Sequence, residues 1–310
     1  MSAPKRGSLV LVATPIGNLG DLSPRAREVL AEADMICCED TRRTRALLSS
    51  AGIPARREGR DRLLSLHGHN ERSRLDRVAG CVASGGTVAV VSDAGTPGIS
   101  DPGAWLAAQL AAAGETVTTV PGPSSVIGAL AVSGLPSDRF AAEGFLPRKG
   151  GERRRRMEAL MGDERTTVIL EAPGRVADTL AELAALDRER PAAVVRELTK
   201  LHEEVWRGTL GEAADAFVTR DVRGEVVLVV GGAIATPPVN DAEVEQAVRA
   251  ELAADPSAGP RQLSDRVATS LSVPRRRAYE AAVRVRQAGR GGSRESAESR
   301  WPERSQPDRA

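Results

Sequence analysis

Three short loops in this 310-residue chain combine glycine and proline with hydroxyl or carboxylate side chains: "ATPIGNLGD" from Ala13, "SDAGTPGISDPG" from Ser92 and "VPGPSSVIG" from Val120. Glycine lets backbone amides come close to a ligand, and a helix starting straight after such a loop adds unpaired N–H donors. Asp93 and Asp101 stand in the second loop as carboxylates that could handle a proton. Taken singly, each loop could be only a tight turn. None reads G-x-G-x-x-G or G-x-x-x-x-G-K-[ST], which disfavours a nicotinamide enzyme or a nucleotide hydrolase.

The surrounding pattern shows what must position these loops. "SLVLVA" (8–13), "MICCED" (35–40), "GTVAVVS" (86–92) and "TVTTV" (116–120) are short apolar or β-branched runs, each followed by helical spacing. Ser23 and Pro24 make a helix start, and Gly52 a helix stop. Strand and helix alternating in this way predict βαβ units and a mainly parallel sheet, whose carboxyl ends carry the three loops. The rhythm restarts with "TTVILEA" (166–172), "AAVVREL" (192–198), "EEVWRGTL" (203–210) and "EVVLVVGG" (225–232). Three helical patterns follow at 241–254, 260–271 and 274–288. The expected division is an α/β domain over 1–135, a second over 136–233, a linker over 234–240, a small helical appendage over 241–288 and a disordered tail over 289–310.

Bulk composition bounds the function. With 43 Lys and Arg against 42 Asp and Glu the formal charge is +1, so any nucleic-acid surface has to be a local patch. Aromatic residues make up 2%, which argues against a base-stacking recognition sheet. Cys37, Cys38 and Cys81 are too few and wrongly spaced for a disulfide framework or a zinc site. The amino-terminal apolar run is five residues long, neither a signal peptide nor a membrane anchor, and no membrane partner is expected. A cytoplasmic protein is the expectation.

The stretches "TPIGNLGDLSPRA", "EDTRRT", "VSDAGTPGISDPG", "PGPSS", "GLPSDRFAAEGFLPRKG" and "RELTK", in that order, closely resemble the tetrapyrrole-methylase superfamily. Within it the chain is similar to bacterial enzymes that methylate the 2′-oxygen of a decoding-centre cytidine in 16S ribosomal RNA. The resemblance runs over about 8–232, and more loosely to 288. It implies an α/β two-domain tetrapyrrole-methylase fold, here with a helix-turn-helix-like appendage. It also implies S-adenosylmethionine in the cleft between the domains, and a homodimer. By resemblance Thr14, Pro15, Gly95, Thr96, Ile99, Ser124 and Ser125 would touch the cofactor from the first domain. Glu171 and Ala172, with Glu225 and Val226, would line the adenosine side from the second. Gly68 stands where relatives often carry aspartate, and Gly174 where histidine is frequent, so neither position can supply a base.

A ribose hydroxyl is a poor nucleophile while protonated, so a general base within hydrogen-bond reach would help. Candidates are Glu39 and Asp40 at the end of the second strand, Asp93 and Asp101, His67 and His69, and Glu197 and Lys200. Asp40 stands equally as the cap of the following helix, and the two histidines as structural donors. The acceptor site is expected at "EDTR" and "HGHN". No metal is expected: H-x-H has no third ligand in view, and methyl transfer needs none.

Phosphate contacts are expected from Arg42 and Arg43, from Arg148 and Lys149 ahead of "ERRRR", and from Arg275, Arg276 and Arg277 of the appendage. The expected partner is 16S rRNA within the 30S subunit, not DNA. Competing readings are a superfamily methyltransferase for a tetrapyrrole or a protein side chain, and a non-catalytic nucleic-acid binder with a small-molecule sensor body.

Overall fold

Five parallel strands carry the first half of the chain. The computed structural model describes residues 7–234 and 239–291. In chain order the first half runs β1 (Ser8–Val12), α1 (Pro24–Glu32), β2 (Met35–Cys38), α2 (Thr41–Ser50), a small hairpin of β3 (Arg56–Arg57) and β4 (Arg60–Asp61), then β5 (Leu63–Ser65) and α3 (Glu71–Ala83). It continues with β6 (Thr87–Val91), α4 (Ala104–Ala112), β7 (Thr116–Val120) and α5 (Ser125–Ser133). The sheet order is β5-β2-β6-β1-β7, with every pairing parallel. Alternate side chains enter two cores. Val10, Val12, Ile36 and Cys38 meet α1 and α2, while Leu9, Cys37, Val88 and Val90 meet α3 and α4. Burial on both faces is why these strands read as unbroken apolar runs.

The second half comprises β8 (Phe140–Phe145), α6 (Gly150–Met161), β9 (Thr166–Glu171), α7 (Val176–Leu186), β10 (Pro191–Arg196), β11 (Glu204–Thr209), α8 (Leu210–Phe217) and β12 (Val226–Val230). Its order is β11-β10-β12-β9-β8, and only β8–β9 is parallel. The same strand–helix rhythm therefore builds a mostly antiparallel sheet here. One face packs on α6, α7 and α8 through Ile169, Val194 and Leu228. The other is covered by α5, whose Val126, Ala129 and Leu130 pack on Val168, Ala193, Val195, Val227 and Val229. A helix from the first half thus closes the second sheet, and both sheets belong to one compact unit ending at Ile234.

The second unit holds α9 (Asp241–Ala254), α10 (Pro260–Ser270) and α11 (Arg275–Gly291) around Val244, Val248, Leu263, Val267, Ala278 and Ala282. Its helix α11 continues to Gly291, past the expected end at 288. Residues 235–238 of the expected linker and 292–310 of the expected tail lie outside the described residues.

Candidate active site

Parallel strands all end on one side, so the segments after β1, β2, β5, β6 and β7 share one edge of the first sheet. The second sheet contributes through register: Glu171 at the end of β9 pairs with Val226 at the start of β12. Residues 55 positions apart in the chain are thus brought side by side by one antiparallel pairing.

Between these edges lies a cavity of about 390 Å³. Gly95, Thr96, Ile99, Ser124, Ser125, Glu171, Ala172, Glu225 and Val226 all line it. Thr14 and Pro15 do not. Thr14 is fully buried and works behind the wall: its N–H donates to Gly95 O at 2.9 Å, it accepts Gly95 N–H at 3.0 Å, and its hydroxyl donates to Ser92 O at 3.2 Å. Gly95 has φ +85°, a backbone conformation that a side chain would strain. Thr96 Oγ1 donates to Pro123 O at 3.1 Å, tying this loop to the one before α5, and Ser124 caps α5.

Beneath the loop, Glu71 is buried and accepts N–H bonds from Gly103 and Leu106 at 3.0 and 3.1 Å. Helix α4 begins after a glycine, which has no side chain to cap it, so a carboxylate from α3 does so instead. Neither Glu71 nor α3 was anticipated from sequence, because the capped amides lie more than thirty residues away.

The carboxylates on this edge differ sharply. Asp40 caps α2 by accepting Arg42 N–H at 2.8 Å and pairs with the Arg42 guanidinium at 3.0 Å. Those bonds from Arg42 hold its carboxyl down at about 2. It does not line the cavity, and a carboxylate so committed is a weak base. Asp93 lines the cavity, accepts Asp40 N–H at 3.1 Å and pairs with Arg43 at 3.4 Å. Asp101 lines it too. Burial, followed by the nearby charge of Glu39, pushes Asp101 up to about 6, against a smaller opposing pull from the Ser92 hydroxyl. That places the Asp101 carboxyl close to neutral pH.

The remaining expected catalytic groups lie off the cavity wall. Glu39 is exposed beside Asp101 rather than lining the space. His67 and His69 stand edge to face, ring centroids 6.1 Å apart, beyond β5. Lys200 pairs with Glu197 at 2.9 Å and Glu225 at 3.4 Å. Burial draws its ammonium down, but those two carboxylates outweigh it and the net shift is upward. Lys200 is therefore a cation that holds a cavity residue, Glu225, and no proton acceptor.

Glu171 lines the cavity, yet its side chain is consumed internally. It accepts Thr179 Oγ1–H at 2.6 Å and its own neighbour's Ala172 N–H at 2.8 Å, and it pairs with Arg175. Thr179 in turn accepts from Arg153 Nη2 at 2.8 Å. Arg153, the first arginine of "ERRRR", is buried and bonded to Glu182, so it is not available to a phosphate.

The other arginines divide. Arg42 and Arg43 are paired as above, and Arg43 lines the cavity. Arg148 and Lys149 are exposed with no ion pair among the described residues. Arg275 pairs with Asp265, Arg276 with Glu280 and Arg277 with Asp241. The basic run of α11 is thus largely balanced within its own bundle, although exposed pairs of this kind are weak and exchange partners readily. No cluster of three or more His, Cys, Asp or Glu suited to a metal occurs among the described residues.

Two α/β layers with a glycine-lined cleft between their sheet edges define a class. The family model of tetrapyrrole (corrin/porphyrin) methylases matches residues 8–214, and the chain belongs to that family. The methyltransferase CobJ shares the fold, with a TM-score of 0.55 and 22% identity over 73% of this chain and 95% of that one. In sequence the chain is similar to ribosomal RNA small subunit methyltransferase I of Xylella fastidiosa (strain Temecula1), 50% identical over 236 residues, 75% of this chain and 84% of that protein. The protein of the same name from Synechocystis sp. is 42% identical over 282 residues, 90% of this chain and 98% of its own.

Proposed function

We propose that this chain is an S-adenosylmethionine-dependent methyltransferase acting on the ribose 2′-hydroxyl of a decoding-centre cytidine in 16S rRNA of the 30S subunit. Membership of a methylase family supports the reaction class, and the names of relatives at 42–50% identity support a small-subunit rRNA acceptor. The observation that carries the reading is Asp101, a carboxyl held near neutral pH on the wall of the cavity.

The residues fit the cofactor. Asp93, Glu171 and Glu225 on the cavity wall are paired with Arg43, Arg175 and Lys200, which leaves Asp101 as the lining carboxylate with no ion pair among the described residues and one net negative charge suited to a cationic ligand. Gly95 holds φ +85° on the cavity wall, a conformation that leaves the loop backbone bare toward the cavity and disfavours a side chain. When bound, S-adenosylmethionine supplies an electrophilic methyl group. The protein has to align the acceptor, exclude water and remove one proton. Ile16, Ile99, Leu170 and Val227 give the cavity apolar surface. Asp101, ionised at pH 7–8, would take the hydroxyl proton onto its carboxylate as the methyl group passes from the sulfonium sulfur to the ribose oxygen, the S–C bond breaking and the thioether leaving. Ser92 and Glu39 tune that carboxyl, which redefines the part of "EDTR": it flanks the base.

The reading includes a cytoplasmic homodimer. No described helix is long and apolar enough to cross a membrane, and Leu201 and Ile127 are exposed apolar side chains open to a second copy. Tritiated methyl transfer onto 30S subunits lacking the modification, followed by nucleoside analysis, tests the function. A 2′-O-methylated cytidine supports it. Cofactor binding without transfer to RNA would redirect the search to a tetrapyrrole or protein acceptor.

A further inference from the structure

Strand β8 is an edge strand, paired only with β9, and its register slips between Ala142 and Gly144. Gly144 has φ +70°, and a Cβ there would sit 3.4 Å from Ser100 Oγ, so the end of β8 abuts the glycine-rich loop of the first sheet. The next residue, Phe145, is 60% exposed, in a chain with only seven aromatic side chains. It lines the 390 Å³ cavity and also a neighbouring cleft of about 450 Å³ between β8 and α6, and no other residue lines both.

The chemistry of that second cleft is specific. Arg156 is neutralised by Glu143. Arg155 and Glu152 both line the cleft exposed and without an ion pair among the described residues, so the lining itself is balanced and the surplus of positive charge comes from the neighbouring residues Arg148 and Lys149. Arg148 and Lys149, equally unpaired, stand three and four positions after Phe145 and lead into the first turn of α6. An exposed flat ring costs solvation free energy unless something covers it, and unpaired guanidinium groups beside it ask for anions. A ring flanked by free cations fits an unstacked base with its phosphates, the combination single-stranded RNA offers.

We propose that Phe145 is the stacking platform for a base at or next to the acceptor nucleotide, and that the β8–α6 cleft takes the adjoining phosphate through Arg155. This rests on the RNA-methyltransferase reading above. The ribose then enters the cavity on one side of the ring, and the strand leaves along the cleft on the other. Specificity for an unstacked nucleotide follows, since a base held in a helix cannot lie on the ring.

The test measures KM for unmethylated 30S subunits, together with calorimetric S-adenosylmethionine affinity, for wild type, Phe145→Ala and Phe145→Tyr. Loss of one base–aromatic stack predicts a KM raised roughly 5- to 100-fold in Phe145→Ala, with cofactor affinity unchanged and near-wild-type behaviour in Phe145→Tyr. Arg155→Ala should lower the slope of log KM against log salt by about one. An unchanged KM in Phe145→Ala, or a loss confined to cofactor affinity, overturns the platform while leaving the function standing. Absence of RNA methylation by the wild-type protein overturns both. Phe145→Tyr guards against misfolding as an explanation, because it keeps the ring and removes no packing.

Discussion

Thr14 and Gly95 exchange a reciprocal pair of backbone hydrogen bonds, at 2.9 and 3.0 Å, and so clamp the loop after β1 to the loop after β6. The clamp explains how a fully buried threonine shapes a cavity it does not touch. It holds Gly95 in its left-handed conformation against Ile16.

Gly95→Ala should therefore strain the backbone, since the position holds φ +85°. The expected cost is about 1 kcal/mol of stability, with a larger loss of S-adenosylmethionine affinity because the loop wall moves. Thermal melting and calorimetry read the two separately, and an unchanged affinity would show that the loop backbone is not part of the cofactor site.

Asp101→Asn should reduce turnover by about 10²-fold or more while cofactor affinity holds. Wild-type turnover should fall as pH drops below about 6, where Asp101 takes up its proton. Stability should move the other way. The folded-state pKa, about 6, lies above the ordinary value of 3.8, so the folded chain binds this proton more tightly than the unfolded chain does. Its contribution to stability falls as pH rises from about 4 to 6, and it opposes folding above that. Asp101→Asn should accordingly be more stable at pH 8, on the order of 1–2 kcal/mol after discounting for partial exposure. Denaturant melts at pH 5 and pH 8 check this, and an equal effect at both would contradict it.

Thr179→Val keeps the shape but removes the hydroxyl joining Glu171 to Arg153. A buried carboxylate and a buried guanidinium each lose a partner, at an expected cost of about 1–3 kcal/mol. Cofactor affinity should weaken as well, because Glu171 also holds the amide of Ala172 on the cavity wall. A variant that melts like wild type would remove this network from the account.

Arg62 is buried far from the cavity, where it donates to Leu30 O, Ala31 O and Ala33 O at 3.0, 3.1 and 2.7 Å, and to Pro54 O. It satisfies the last carbonyls of α1 that have no helical partner. Arg62→Ala should cost about 2–4 kcal/mol with methyl transfer intact at a permissive temperature. Loss of turnover in folded protein would show that its role extends to the site.

The helical unit after Ile234 has its own core, so a chain ended there should keep cofactor binding. If the unit holds RNA, KM for 30S subunits should rise about tenfold or more, reflecting the loss of several phosphate contacts. An unchanged KM would leave Arg275, Arg276 and Arg277 as partners of the acidic side chains beside them.

Much of the first sheet was legible because its inner strands β1, β2 and β6 are largely buried and its helices start at Ser23, Asp40 and Ser124 with side-chain caps. Other elements gave little signal. "FAAEGF" is an exposed edge strand with a bulge and no clean alternation. The basic run beginning α6 looks like a solvated face until Arg153 is found buried on Glu182 and Thr179. The antiparallel order of the second sheet was likewise invisible in a strand–helix rhythm that matches the first.

The cavity residues were found through motifs, since loop backbones that hug a ligand demand glycine, proline and small hydroxyl residues in a narrow order. The base was not. Asp40 and Asp101 are the same residue type in segments that each lead into a helix, and local sequence separates them only through Arg42. Asp101 acquires its pKa from burial and from Glu39, 62 positions earlier in the chain, which β2 and β6 bring near it. By itself the sequence determined the family, the parallel sheet and the loops, because propensity, capping and backbone freedom act over a few residues. Only the tertiary structure decided which carboxylate is free, which arginine is buried and which phenylalanine stands between two clefts. Desolvation and charge–charge coupling depend on neighbours in space, whatever their distance along the chain.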